Sequence, residues 1–402
     1  MAHYAMTPDR GAGAPLARPA ELVCFALVVA HAAYLGAAYC DGIWIVAPDG
    51  GGVAADFVNV WAAGRFALLG QAAMAYDWPA HKLMEASAVG HPFDGYYPWS
   101  YPPPFLFVAA ALAALPYAAA YVGWLIATFP AYLVAIRAII GDRIGYLLAA
   151  AFPAVLSNFI VGQNGFLTAG LIGGALALLQ SQPVAAGALL GLLTVKPHLG
   201  LLFPLALAAG GRWRAFLAAA GVASALVAAS WSSFGGATWS AFFAGLSHSS
   251  EAFLANDGGD WTKFQTAFGL ARALGGSAAL AWSAQIMLAL SAAAAVAALW
   301  RSDAAYEIKA AALGAGALLA TPYLYTYDLV VLAVPLAFLF RLGRARGFLP
   351  HEATAIGAIC FLILIFPVVK TPVGFAAVLC VAGLIARRVL APQPMQTRAT
   401  PA

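Results

Sequence analysis

Pro183-Val-Ala-Ala-Gly-Ala-Leu-Leu-Gly-Leu-Leu-Thr-Val-Lys196-Pro197-His198-Leu-Gly-Leu-Leu-Phe-Pro-Leu-Ala-Leu-Ala-Ala209 is the stretch on which the fold turns. Apart from Thr194, Lys196 and His198 it is apolar from end to end. It is also longer than the roughly 20 residues that cross a bilayer as one helix. A charge and a proline sit together near its centre. A lysine at membrane depth is costly, and Pro197 removes a backbone donor. A broken helix or a re-entrant pair fits both features, because irregular backbone is tolerated at membrane depth where it lines a cavity.

The rest of the chain is of the same kind. Of its 402 residues, 63% are hydrophobic and 9% charged, with a mean hydropathy of +0.85. A soluble domain carries about 25% charged residues, so a soluble enzyme, a disordered chain and a nucleic-acid binder are excluded. The net charge of +4 offers no basic surface for nucleic acid. Apolar runs are continuous rather than alternating, which argues against a β-barrel. An all-α polytopic membrane protein remains.

Apolar runs at about 21–40, 102–116, 118–140, 143–157, 165–180, 183–209, 215–234, 279–300, 306–322, 327–340, 353–369 and 372–390 predict about 12 transmembrane segments. The organisation that follows is a cytoplasmic tail over 1–20, one membrane domain over 21–390 and a cytoplasmic tail over 391–402. The first run lacks a small-residue cleavage site and reads as an uncleaved helix. Alternating the segments from a cytoplasmic N-terminus puts Arg341, Arg344, Arg346, Arg387 and Arg388 inside, as the positive-inside bias requires. The same alternation puts Arg137, Asp142 and Arg143 outside. Two large loops, about 41–101 and 235–278, then also face outward and hold most of the acidic residues. The Ala- and Gly-rich composition suggests a bacterial inner (plasma) membrane. No repeat of the inverted-transporter kind and no nucleotide-cradling loop is visible. Cys24, Cys40, Cys360 and Cys380 form no CxxC pair, and the histidines form no ligand cluster, so neither a disulfide nor a metal is expected.

The polar residues of the outer loops and span ends are the candidates for chemistry. Asp56 precedes an apolar pattern at helical spacing, read as an amphipathic helix on the membrane surface. It is an N-cap on the structural account and a general base on the functional one. Asp77, before Pro79, reads as a turn residue. Trp99 and Tyr101 fall in an aromatic boundary segment that ends in Pro102-Pro103-Pro104. Gly162-Gln163-Asn164-Gly165 is a polar break between two runs. Lys196, with His198, suits a phosphate, against the alternative of a lysine snorkelling to the interface. Asp257 and Asp260 are loop residues, and Lys263 and Gln265 beside them are of a type that meets a sugar or phosphate. Tyr323, Tyr325, Tyr327 and Asp328 join two runs, and three tyrosines beside a carboxylate suit sugar recognition.

Taken in order, Asp56, Tyr76-Asp77, Tyr101-Pro102-Pro103, Gly162-Gln163-Asn164, Lys196-Pro197, Thr321-Pro322-Tyr323 and Tyr327-Asp328 resemble glycosyltransferase family 87, a branch of the GT-C superfamily. The resemblance spans about residues 50–335. It implies a GT-C-type membrane enzyme that uses a polyprenyl-phosphate-sugar donor, often polyprenyl-phosphate-mannose, from the outer leaflet. The implied acceptor is a glycolipid or polysaccharide, transfer is with inversion, and no cofactor is needed. Asp56 maps onto the catalytic base and Lys196 onto the donor phosphate, with His198 at its side. Asp77, Tyr101, Gln163, Asn164, Lys263, Gln265, Tyr323, Tyr325 and Asp328 are the substrate-binding candidates. A transporter or flippase of lipid-linked sugars is the competing reading, and a non-catalytic assembly protein a third. The enzyme reading requires Asp56, Lys196 and Tyr325 or Asp328 to converge on one cavity.

Overall fold

The computed structural model describes residues 18–250 and 260–391. Most of both expected tails, together with Glu251 and Asp257, lie outside the described residues. Within them the chain is mostly helical, and the only β contacts are isolated bridges at Trp44, Val46 and Gly52. Every expected apolar run is helical, but few are single membrane-length helices. Six helices are long and apolar enough to cross: Arg18–Cys40, Tyr117–Ile140, Trp213–Leu246, Ala278–Arg301, Thr326–Arg346 and Val373–Leu390. A bent pair, Ile144–Ala150 and Ala154–Val161, turned by 61°, has the combined length and apolarity of one more. Pro153 stands in that break, where a proline removes one rung of the helical ladder.

Thr326–Arg346 is the central pillar. Its most apolar window is 78% buried inside the protein, against 11% for Arg18–Cys40. The outer helices present leucine, valine and phenylalanine outward, as at Leu22, Phe25, Leu217 and Leu290. Lipid is an adequate solvent for that surface, so the interior is held by close packing rather than by exclusion of apolar groups from water.

Two runs do not cross as expected. Residues 102–116 begin beside Gln163, where the Tyr101 hydroxyl donates to Gln163 Oε1. They end where Trp61 Nε1 donates to Leu115 O and the Tyr117 hydroxyl donates to Val53 O. Both ends therefore lie at one end of the bundle. Residues 183–209 run inward as Pro183–Val195, break at Lys196 and return as Pro197–Ala209. At its start this hairpin lies alongside the beginning of helix Trp213–Ser250, with Gly187 against Ala215 and Ala218. At its finish Gly210 lies against Trp300. The re-entrant pair is therefore realised, and Lys196 stands at its tip.

Each departure removes one expected crossing, so the alternation is restored past residue 209 while the residues between the two change ends. Asp142, expected outside, pairs with Arg344, expected inside, at 2.5 Å. Arg341 at the same end donates to Ile139 O and faces Glu307 at 3.7 Å. Arg137, Asp142 and Arg143 therefore belong with Arg341–Arg346, Arg387 and Arg388. The alternation failed because the run at 102–116 was counted as a crossing and the hairpin as a single one. Past residue 234 the chain also stays helical, to Ser250, across a break at Gly235, where φ is +79°. Part of the interval read as the second outer loop is thus helix.

Candidate active site

The end opposite the arginine cluster collects most of the polar candidates. Three local structures deliver them. The first is the helix tip at Lys196. A residue before proline is pushed out of the helical region, and Lys196 has φ −143° and ψ 68°. Its side chain points inward and is only 4% exposed.

The second is the turn Gly162-Gln163-Asn164-Gly165. Gly162 has φ +66°, a conformation that favours glycine. Gly165 has no room for a side chain, since a Cβ there would lie 2.0 Å from Asn158 Nδ2 and 2.5 Å from Tyr327 O. The turn can thus press against the strand-like approach to the central pillar. Asn158 ties the two together by donating to Tyr327 O at 3.1 Å.

The third is the start of the pillar itself. The Tyr325 amide donates to Asp328 Oδ2 at 3.2 Å, which fixes the carboxylate at the first turn. Asp328 is 1% exposed and forms an ion pair with Lys196 Nζ. Lys196 Nζ also donates to Asn164 Oδ1 at 2.9 Å and lies 5.3 Å from the centre of the Tyr327 ring. An ammonium has three N–H bonds, and these two partners use two of them. Tyr325 stacks on Tyr327 with ring centres 5.5 Å apart, and Phe264 packs against Tyr325 at 4.8 Å. His198 lies across from Tyr323, 6.5 Å between ring centres, and its buried Nε2 has no hydrogen-bond partner.

Asp56 reaches the same place from the first loop. It stands before helix Phe57–Leu68 with its backbone already helical, and its side chain accepts no capping bond. The cap account of this carboxylate is therefore overturned. The helix it precedes is mostly buried rather than resting on a membrane surface. It packs so closely on Leu106–Ala113 that a Cβ at Gly64 would lie 2.0 Å from Ala109 O. Asp56 is raised to about 6 on balance, chiefly by desolvation. The neighbouring Gln163 amide, Lys263 and Lys196 pull it back down, and Asp328 pushes it further up. Gln163 is the hinge of this arrangement: it lies beside Asp56, accepts from Tyr101 at 2.7 Å and adjoins Asn164, the partner of Lys196.

Not every candidate joins the cluster. Asp77 is exposed and accepts from the Ala80 amide at 2.9 Å, so it is the N-cap of helix Trp78–Val89. The cap role that fails at Asp56 succeeds there. Gln265 is fully buried and its amide is committed to backbone: it accepts from Gly374 N at 2.8 Å and donates to Thr262 O at 2.9 Å. It fastens the Phe264 segment to helix Val373–Leu390 and has no atom left for a substrate. Lys263 is 66% exposed and pairs with Asp260 at 3.6 Å, so it acts on the cluster at longer range. Trp99 is a core residue, 2% exposed and stacked on Phe105, rather than part of an interfacial belt. Among the described residues no three of His, Cys, Asp and Glu come together as a metal-binding set.

Two features escaped the sequence reading. Glu85 and His81, one helical turn apart on Trp78–Val89, are 0% and 1% exposed. Their i, i+4 spacing was visible, but nothing local told which face would be buried. An apolar cleft of about 200 Å³ lies between Pro153–Val161, Thr326, Leu329 and Ile363–Pro367. Its wall includes the helical turn that carries Asp328.

Comparison with known proteins gives one match. A family model described as "Glycosyltransferase family 87" matches residues 99–322, more than half of the chain. The matched range includes Tyr101, Gln163, Asn164, Lys196 and His198 and leaves Asp56 and Asp328 outside it. No curated protein and no solved structure matches the chain.

Proposed function

The chain belongs to glycosyltransferase family 87, and we propose that it moves a hexosyl group, mannose in the first instance, from a polyprenyl-phosphate-sugar to a glycolipid or polysaccharide acceptor. The observation that carries this reading is the convergence of Asp56 with Lys196, Asn164, Gln163, Tyr101 and Asp328 at one end of the bundle. A base and a buried cation delivered by separate elements are what inverting transfer from a lipid phosphate requires.

In this mechanism Asp56 accepts the proton of the acceptor hydroxyl as that oxygen attacks the anomeric carbon. The bond from that carbon to the phosphate oxygen breaks on the opposite face, and the sugar is inverted. Lys196 turns its remaining N–H toward the phosphate, and His198 Nε2 supplies a second donor. Fixed donors aimed at developing charge in a water-poor site are usually the largest catalytic term, and losing one costs about 10²–10³ in rate. Tyr325 and Tyr327 offer stacked faces to the sugar. The apolar cleft beside Thr326 and Leu329 gives the prenyl tail a lateral approach to Asp328 and Lys196. Arginines crowd the opposite end, so the positive-inside bias favours a site facing the periplasm or outside.

Purified protein reconstituted with polyprenyl-phosphate-mannose and a glycolipid extract tests the reading. Wild type transfers the sugar, and folded Asp56→Asn does not. Undiminished transfer by Asp56→Asn removes Asp56 as the base. Movement of the intact lipid-linked sugar between leaflets, with no new glycosidic bond, replaces the enzyme with a flippase.

A further inference from the structure

The end of helix Trp78–Val89 is tied to the segment before Asp56, where Gly52 N donates to Val89 O at 2.8 Å, and one turn earlier stands a second carboxyl group, Glu85, that the mechanism above does not use. Glu85 is 0% exposed, and neither of its oxygens has a hydrogen-bond partner. His81, one turn earlier on helix Trp78–Val89, stands 3.6 Å away with both ring nitrogens equally unpartnered. It stacks on Phe66 of the helix that follows Asp56. Lys82 is the cation that faces Glu85, in a long ion pair that it shares with two other partners. Lys82 Nζ is held by Gly95 O at 2.7 Å and by the Phe93 ring at 3.2 Å, and stays 3.8 Å from the carboxylate.

A buried carboxylate that accepts no hydrogen bond and has only a shared cation at 3.8 Å is costly to keep charged, and such a group takes up a proton instead. The charged and titratable groups that face Glu85 can be named by element. On its own helix they are His81 and Lys82. From the first loop comes Asp56, from the segment after the helix Tyr96 and Tyr97, and from helix Tyr117–Ile140 Tyr117. Asp56 is the one group among them that adds a like charge. Two carboxyl groups that feel each other do not both ionise readily, and the pair titrates in two steps.

We propose that Asp56 and Glu85 are a carboxyl pair in which Glu85, screened by His81, holds one proton at neutral pH and so leaves Asp56 as the ionised member. Glu85 is then a positioning residue: it touches no substrate and acts through the charge state of Asp56. In a turnover the acceptor O–H bond breaks and an Asp56 O–H bond forms, while the proton on Glu85 is retained. The resting site is restored when Asp56 loses the new proton to water. Were Glu85 the ionised member at neutral pH, the single proton would sit on Asp56 instead and the base would be lost.

The inference rests on the reading of Asp56 as the base, but its test needs no substrate. Infrared difference titration of the purified full chain follows the carbonyl stretch of protonated carboxyl groups. Wild type is expected to show a band that persists at neutral pH and is lost around pH 8, where burial places Glu85. The band is expected to be missing in Glu85→Gln. In Asp56→Asn its midpoint is expected at lower pH, because the like charge is gone. No such band at neutral pH, a band retained in Glu85→Gln, or a midpoint unmoved in Asp56→Asn overturns the proposal. The Asp56→Asn titration stands alone if Glu85→Gln does not fold. A protein that passes this titration yet transfers no sugar retains the pair and loses the proposed function.

Discussion

Replacing Lys196 by Met leaves Asp328 as a buried anion whose remaining partner is the Tyr325 amide. Replacing Asp328 by Leu leaves Lys196 as a buried cation with Asn164. Both side chains are nearly inaccessible, at 4% and 1% exposure, so surface screening does not soften either change. Breaking a buried pair from one side costs about 3–5 kcal/mol, whereas removing both partners together is often close to neutral. Each single variant should therefore lose roughly a hundredfold to several thousandfold in its folding equilibrium. The double variant keeps two orphaned groups, Asn164 Oδ1 and the Tyr325 amide, each costing about 1–3 kcal/mol. It should therefore be less destabilised than the sum of the singles. The assay is equilibrium unfolding in mixed micelles for wild type, both singles and the double, with sugar transfer measured on the same samples. Stability partly recovers in the double, and on the proposed mechanism transfer does not, because the cation assigned there to the phosphate is still missing. Additive singles of less than about 1 kcal/mol each, the size of a solvent-screened pair, would refute the buried-pair reasoning. Recovered transfer in the double would remove Lys196 from the chemistry.

Other perturbations reach different parts of the site. In its proposed role as base Asp56 must be ionised, so kcat/KM should climb about tenfold per pH unit up to about 6 and level off above it. The same shift has a stability sign: a carboxyl whose folded value is raised binds its proton better when folded. Asp56 therefore contributes most to stability in acid, and that contribution is lost as pH rises to about 6, checked by unfolding across that range. Gly165→Ala puts a Cβ 2.0 Å from Asn158 Nδ2 and 2.5 Å from Tyr327 O. It should cost about 1–3 kcal/mol by overpacking and reduce transfer in folded protein. Gln265→Ala removes the acceptor of the Gly374 amide and should cost about 1–3 kcal/mol, with the donor KM unchanged. Lys263→Gln should raise the donor KM severalfold at low salt. That effect should shrink as ionic strength shortens the screening length below about 10 Å.

The fold class was legible because composition is a global property that no local accident reverses. The break at Lys196 was legible because Lys-Pro is a local signal. Which end of the bundle each run reaches was not, because hydropathy carries no such information. The deciding contacts join residues far apart in sequence, 202 for Asp142 with Arg344 and 132 for Lys196 with Asp328. Asp56 and Asp77 make the same point at the scale of a side chain. Both precede a helix in the first loop, yet one caps its helix and the other is turned toward Gln163 and the buried lysine. Packing against Leu106–Ala113 and the Gly162 turn decides between them, and neither constraint is written near Asp56.

The charges of the cluster explain why so many polar groups are gathered around one lysine. Asp56 and Asp328 are both carboxylates, and Lys196 is the one buried cation between them. The pairing with Asp328 lowers the cost of keeping Lys196 at membrane depth while the site is empty. For the phosphodiester donor proposed above, it also means arrival in a region already short of positive charge. A third carboxylate at Glu85 would deepen that deficit, which is the electrostatic reason for a proton to remain there. Lys263, exposed yet close enough to act on Asp56, is the charge left to balance the incoming anion in the proposed mechanism, and His198, with its unpartnered Nε2, is left to donate a hydrogen bond to it. Lys196 can then be shared between Asp328 and the phosphate, and its weight moves to the phosphate as the glycosidic oxygen gains charge. An interaction that strengthens along the reaction in this way lowers the barrier, whereas one equally strong at the start only tightens binding.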